Sequence, residues 1–67
     1  MRLKDLREDH DLPQKHLAAE LHISQNTYSQ YETGTRQLPI AILIKLSKFY
    51  DVSTDYILGL TNDPRRR

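Results

Sequence analysis

The sequence predicts a compact all-α fold, and chain length, apolar spacing and helix-end residues each indicate it. With 67 residues the chain suffices for one domain with a small core, which helices form by packing directly on one another. Apolar residues recur at helical spacing, and no stretch shows the regular alternation of a strand. Residues that favour helix starts and ends bound the apolar stretches. We therefore expect five short helices around one core.

The first two helices are predicted from short apolar stripes. Leu3 and Leu6 form a stripe within residues 2–9 and are flanked by charged residues, which predicts helix 1. Pro13 suits the first turn of helix 2. The residues expected on the inward face of helix 2, over residues 14–21, are Leu17, Ala18 and Leu21. The connection to the next helix is so short that we expect a tight corner between them.

Helix 3 is predicted between Ser24, a favourable N-cap, and Gly34, a favourable residue at a helix C-terminus. Residues 21–31 contain no Asp, Glu, Lys or Arg, although a chain that is 28% charged should place about three there. Helical spacing puts Tyr28 and Tyr31 on one face, where we expect them in the core. The opposite face is uncharged and polar and consists of Gln25, Asn26, Ser29, Gln30 and Thr33.

Such a face suits the reading of base edges, because amides and hydroxyls match the hydrogen-bond donors and acceptors of the bases. A merely polar surface helix would have the same composition. The pattern of helix 3 alone therefore leaves both interpretations open.

Helix 4 is predicted to begin at Pro39, after a loop over residues 35–38, and to run to about Tyr50. The residues expected on its inward face are Ile40, Leu43, Ile44, Ser47 and Tyr50. A second apolar row beside that face contains Ile42, Leu46 and Phe49. The width of the two rows indicates a helix that is buried on two sides or one that offers part of its surface to a partner.

The end of the chain is predicted to hold a last short helix and a basic tail. Ser53 is a suitable N-cap for helix 5, and Gly59 stops it after Leu58. We expect the helical domain to occupy residues 1–61. Residues 62–67 end in three arginines and are expected to form a flexible tail, for which a solvated terminus is favoured over a phosphate contact.

Composition excludes several classes of function. The net charge of +1 is only a weak indication of a polyanionic partner. The chain has no cysteine, so disulfides and thiolate metal sites are excluded. No stretch of it resembles a signal peptide or an apolar run long enough to span a bilayer. We therefore expect a cytoplasmic protein that does not insert into a membrane.

Metal binding and catalysis are not expected either. The three histidines, His10, His16 and His22, are spaced by six residues and do not share a helix face. The acidic residues near helix 1 read as a solvated face, because no cleft, nucleophile or partner base accompanies them. We expect no catalytic residue, no metal and no cofactor.

Four segments of the sequence together resemble the Xre/Cro-type helix-turn-helix domain of the lambda-repressor-like family. They are LPQKHLAAELHIS at residues 12–24, QNTYSQYETG at 25–34, LIKLSK at 43–48 and VSTDYILG at 52–59. The residues that match at the family's spacing are Gln14, Leu17, Ala18, Leu21, Ile23, Ser24, Glu32 and Gly34. The resemblance covers roughly residues 3–60 and implies a lambda-repressor-like domain with the helix-turn-helix at helices 2 and 3. It also implies a bacterial or phage transcriptional regulator that places residues 24–33 in the major groove of double-stranded DNA.

The resemblance also implies roles for individual residues. Gln14 would contact a phosphate and brace Gln25. Gln25, Asn26 and Gln30 would face bases, since Gln and Asn pair bidentately with adenine. The contacts expected with phosphates or groove walls come from Thr27, Ser29, Thr35 and Arg36, and Thr33 completes the DNA-binding set. In relatives, the positions of Arg7 and Glu32 form an ion pair.

Two residues depart from the family pattern. Pro13 stands where the family usually has Ser or Thr, so a capping side chain and an N–H are lost there. His22 stands at the helix corner, where the family commonly has Gly. A positive φ at His22 would cost about 1 kcal/mol.

Two classes of function remain for this sequence. The first is a sequence-specific DNA-binding regulator that is repressor-like and forms a homodimer at least on DNA. The second is an antitoxin-like or other protein-interaction module, with a toxin or anti-repressor as partner. The residues expected to form the dimer interface are Tyr56, Ile57 and Leu60, with Ile42 and Phe49 as an alternative patch.

Overall fold

The computed structural model describes residues 1–66, and Arg67, the last residue of the expected tail, lies outside the described residues. Its five helices are α1 (Leu3–Asp9), α2 (Gln14–Glu20), α3 (Gln25–Thr33), α4 (Ile40–Tyr50) and α5 (Thr54–Leu58). Residues 1–66 contain no strand. The prediction of an all-α fold with five helices is confirmed. None of the helices in this described part is long and apolar enough to cross a membrane.

The helix ends follow the chemistry of their capping residues. The Ser24 hydroxyl accepts the Thr27 N–H at 3.1 Å at the start of α3, and Ser53 likewise accepts the Tyr56 N–H at 3.0 Å at the start of α5. Gly34 and Gly59 end these two helices in the left-handed conformation, as predicted.

Helices α2 and α4 each begin one residue after the proline that was predicted to lie in the first turn. Pro13 and Pro39 are the N-cap residues of α2 and α4 and have extended backbones, with ψ of 158° and 148°. Neither provides a side-chain hydrogen bond to the helix that follows. The fixed φ of proline suits this position as well as the first turn, which is why the sequence pattern could not distinguish them.

The core draws on every helix. Its fully buried large side chains are Leu3, Leu17, Tyr28, Leu46 and Ile57. The predicted inward faces of α1, α2 and α3 are confirmed, since all of their apolar members are buried. Ser47 is also buried, and its hydroxyl is satisfied by donating to the Val52 carbonyl.

The predicted inward face of α4 was wrong in two positions. Ile40 is 75% exposed and Ile44 is 44% exposed. Leu46, which the sequence placed in the second row, is fully buried and shares the core face with Ser47 and Tyr50. Both rows of α4 are apolar, so the pattern alone could not decide how the helix is rotated about its axis. Packing decided it.

The predicted dimer patch on α5 also needs a correction. Ile57 lies on the buried face of α5, is fully buried and cannot contact another molecule. Leu60, by contrast, is 74% exposed, and Tyr56 is partly exposed. The guanidinium of Arg2 lies over the Tyr56 ring, 4.4 Å from its centroid.

The described part of the predicted tail contacts the domain. Arg2 donates to the Asn62 side-chain oxygen at 2.7 Å, and the Ser53 N–H donates to the Pro64 carbonyl at 2.9 Å. Arg66 pairs with Asp51 at 3.2 Å. These contacts place residues 62–66 beside the start of α5, while the flexibility expected for the tail stays a prediction.

Candidate nucleic-acid interface

The corner between α2 and α3 is held by backbone hydrogen bonds. The His22 N–H donates to the Ala19 carbonyl at 3.2 Å, and the Ile23 N–H donates to the Ala18 carbonyl at 3.0 Å. His22 has a φ of 57°, the left-handed conformation for which the family commonly uses glycine. The chain therefore makes the predicted tight corner in spite of its missing glycine.

Helix α3 has the two different faces that its sequence predicts. Tyr28 and Tyr31 are 0% and 5% exposed, and they fasten the helix to the core. The polar residues lie on the other side, with Gln25, Asn26 and Thr33 exposed and with Ser29 and Gln30 partly exposed. An exposed polar face without charge on a helix this firmly packed is available for hydrogen bonds to a partner.

An ion pair ties α3 to the rest of the domain, as the family resemblance predicts. Arg7 of α1 donates from Nε to Oε2 of Glu32 at 2.7 Å and from Nη2 to Oε1 at 3.2 Å. The Arg7 Nη1 donates to the Leu12 carbonyl at 2.9 Å. The Glu32 side chain is only 4% exposed, and that of Arg7 is 14% exposed. Such a bidentate pair fixes both the distance and the orientation between the two helices.

Gln14 joins this network. Its Nε2 donates to Oε1 of Glu32 at 3.1 Å, and no hydrogen bond links it to Gln25. The predicted brace between Gln14 and Gln25 is therefore absent from the described residues, because the buried carboxylate takes the Gln14 amide. The contact between Gln14 and a phosphate stays a prediction.

The Glu32 carboxylate is ionised and its charge affects the tyrosines around it. Burial alone would raise the pKa of Glu32, but its polar partners, with the Arg7 guanidinium first among them, outweigh burial and lower that pKa. Burial, with the Glu32 charge, raises the pKa of the Tyr28 hydroxyl and raises the pKa of Tyr50 to about 12. Within residues 1–66, the hydroxyls of Tyr28 and Tyr50 are buried and lack a hydrogen bond of good geometry.

The loop after α3 folds back onto the helix. The Thr33 and Thr35 hydroxyls lie 3.0 Å apart, and both also approach the Gln30 carbonyl. The Arg36 Nε donates to Oε1 of Gln30 at 2.8 Å. The family resemblance implies separate roles for Gln30 and Arg36 and does not indicate this contact. Nothing in the sequence signals it, because it depends on the path of the loop.

The predicted site residues share one region, since all but Gln14 lie on α3 or the loop that follows it. Thr27 is partly exposed, and its hydroxyl accepts from the Ser24 hydroxyl at 2.9 Å. Within residues 1–66, no group of three or more His, Cys, Asp or Glu residues is placed to hold a metal ion.

Comparison with protein families identifies the family to which this chain belongs. The family model described as helix-turn-helix matches residues 3–57. The chain belongs to the helix-turn-helix family. The Xre/Cro-type resemblance found in the sequence is thereby confirmed.

Three relatives within the helix-turn-helix family are regulators by name. The uncharacterized HTH-type transcriptional regulator YobD of Bacillus subtilis is 44% identical over 63 residues, covering 94% of this chain and 56% of the relative. The HTH-type transcriptional regulator ImmR of Bacillus subtilis is 45% identical over 58 residues, covering 87% and 46%. The cryptic phage CTXphi transcriptional repressor RstR of Vibrio cholerae is 39% identical over 51 residues, covering 76% and 46%. This helix-turn-helix chain thus spans about half the length of these relatives, and no solved structure matches it significantly.

Proposed function

We propose that this helix-turn-helix domain is a sequence-specific regulator of transcription that binds double-stranded DNA and acts like a repressor. The observation that carries the proposal is the uncharged polar face of α3, which is exposed while the opposite face of the helix is buried. The names of the relatives, which are transcriptional regulators and a phage repressor, support it.

The shape of an α-helix and the exposure of the first residues of α3 fit the proposed role. The major groove of B-DNA admits one α-helix, and recognition helices place their N-terminal residues on base edges. Gln25 and Asn26 are the first two residues of α3, and both are exposed. We assign them to bases. The residues assigned to phosphates and groove walls are Gln14, Thr27, Ser29, Thr33 and Thr35.

Two copies are needed for useful affinity, because the net charge of +1 supports only a modest phosphate contribution. We therefore propose a homodimer on DNA, with two half-sites about one helical turn apart. Exposure favours a dimer patch formed by Tyr56 and Leu60. Ile42 and Phe49, which are partly accessible on α4, are the alternative patch.

Selection of bound duplexes from a random pool tests the proposed function. We expect enrichment of one sequence with two symmetric half-sites. Gln25→Ala and Asn26→Ala should each lower affinity by roughly 1–3 kcal/mol at one base pair and relax the preference there, with little change in salt dependence. Gln37→Ala, which removes an exposed amide from the loop and not from α3, should leave base preference unchanged.

Circular dichroism must show that each variant is folded before binding is compared. If no sequence is enriched, or if folded Gln25→Ala and Asn26→Ala variants keep the full base preference, α3 is not a recognition helix. A protein-interaction module would then be the better interpretation.

A further inference from the structure

The loop after α3 holds one arginine against the polar face of the helix. The Arg36 Nε donates to Oε1 of Gln30 at 2.8 Å. The backbone N–H groups of Thr35 and Arg36 both donate to the Gln30 carbonyl, at 3.0 and 3.3 Å. Gly34, with a φ of 79°, allows the chain to turn back in this way. Arg36 is thus attached to Gln30 through both its backbone and its guanidinium group.

This contact determines which atoms the two side chains present to a partner. A guanidinium group has five N–H donors and no acceptor, so the Gln30 atom that faces it is the amide oxygen. The Gln30 Nε2 is then left to point elsewhere. The Arg36 Nη1 and Nη2 donate to no other group among residues 1–66. Together the two side chains therefore present mainly N–H donors, and the Gln30 amide oxygen has one of its two lone pairs occupied by Arg36.

We propose that Arg36 reads a guanine in the major groove and that Gln30 positions it, an inference that rests on the proposed function. The guanine edge offers two acceptors, N7 and O6, which match the two outer nitrogens of an arginine. Adenine instead pairs an acceptor with a donor, and a glutamine needs its amide oxygen to bind both. In Gln30 that oxygen accepts from Arg36 and keeps one lone pair, so the contact with Arg36 orients the amide. The two outer nitrogens of Arg36 add donors that an isolated Gln30 lacks, and we expect the pair to prefer guanine for that reason.

The placement of the pair distinguishes this role from a phosphate contact, which the sequence favoured for Arg36. Gln30 lies on the face of α3 that also carries Gln25 and Asn26, and the guanidinium of Arg36 lies one hydrogen bond from it. That face is the one proposed to meet base edges. The DNA backbone lies at the margins of such a face.

Modified DNA tests the inference on the site selected by the whole chain. Each guanine of that site is replaced in turn by 7-deazaguanine, which lacks the N7 acceptor. One replacement should weaken binding of the wild-type chain about 5- to 150-fold. The Arg36→Ala variant should bind the modified and unmodified duplexes equally. Gln30→Ala should relax preference at the same base pair, and its effect should not add to that of Arg36→Ala.

Arg36→Lys separates guanine recognition from a phosphate contact, because lysine keeps the charge and loses the planar pair of donors. It should lose the guanine preference as Arg36→Ala does, while the Gln37→Ala control keeps that preference. All variants are checked for folding by circular dichroism.

Three outcomes would overturn the inference. In the first, Arg36→Lys keeps full preference and Arg36→Ala weakens all duplexes alike, with the salt slope lowered by about one, as a phosphate contact requires. In the second, a site is selected and depends on Gln25, but no 7-deazaguanine weakens binding, so the proposed function stands and this inference fails. In the third, no site is selected, and the proposed function fails together with it.

Discussion

At the scale of single residues, Glu32 is the side chain through which α3 is joined to its scaffold. It accepts two hydrogen bonds from Arg7 and one from Gln14, and it is nearly completely buried. A buried charge that loses its partner is costly, because no water replaces the lost contacts. The orientation of the proposed recognition helix therefore depends on a residue outside the proposed DNA-binding set.

Glu32→Ala is expected to lower the free energy of unfolding by about 3–5 kcal/mol, because it leaves the Arg7 guanidinium without its carboxylate. Glu8→Ala, which removes an exposed acid from α1, is the matched control and should change stability by less than about 0.5 kcal/mol. Urea unfolding followed by circular dichroism at pH 7 measures both. A loss below about 1 kcal/mol for Glu32→Ala would show that the ion pair behaves as an exposed one.

The pH dependence of this difference has a definite sign. The pKa of Glu32 is lowered in the folded state from its usual value of 4.5, so its ion pair contributes fully above that pH. The contribution is lost as the pH falls through the folded-state pKa. The stability gap between the wild type and Glu32→Gln should therefore be constant near pH 7 and shrink in acid. A gap that widens as the pH falls below 4.5 would contradict the lowered pKa.

At the scale of elements, α4 shows how packing chooses between two apolar rows. Leu46 is fully buried, whereas Ile40 and Ile44 face solvent. The exposed isoleucines are the apolar surplus that the sequence pattern indicated, but on a different side of the helix. The core face of α4 therefore combines Leu46 of the second row with Ser47 and Tyr50 of the first.

Leu46→Ala should therefore lower the free energy of unfolding by about 2–5 kcal/mol, because it creates a cavity in the core. Ile40→Ala removes a side chain that is 75% exposed and should change stability by less than about 0.5 kcal/mol. Thermal and urea unfolding of the two variants make the comparison. A loss for Ile40→Ala as large as that for Leu46→Ala would contradict the exposure of Ile40.

At the scale of the whole molecule, the exposed apolar residue Leu60 lies just beyond α5, away from the residues of the proposed DNA face in sequence. A surface apolar residue of this kind can join two copies without disturbing the core of either. The net charge of the chain is only +1, so the proposed pairing would raise affinity where phosphate contacts contribute little.

Leu60→Gln is expected to weaken binding to a duplex with two half-sites by about 1–2 kcal/mol and to leave half-site binding unchanged, because it removes the proposed apolar contact between copies. Ile40→Gln is the control, since Ile40 is 75% exposed and Leu60 is 74% exposed. Gel-shift titrations with full and half-site duplexes measure both. A wild-type footprint that covers one asymmetric half-site at saturating protein would contradict dimerisation on DNA.

The sequence by itself determined the fold class, the five helices and the two faces of α3. Those features depend on local signals, such as Ser24 at the start of α3 and Gly34 at its end, which act within one turn of a helix. The ion pair between Arg7 and Glu32 came from family resemblance, which carries tertiary information that spacing alone lacks. The assignment of individual residues to bases and phosphates stays a prediction.

Only the tertiary structure decided the rotation of α4, the burial of Ile57 and the contact between Gln30 and Arg36. Each of these depends on where separate segments meet, and an apolar or polar pattern along one helix does not contain that information. The last of them also bears on the proposed chemistry. A lone glutamine suits adenine, whereas a glutamine that holds an arginine has two outer guanidinium nitrogens beside it, which we propose to meet guanine.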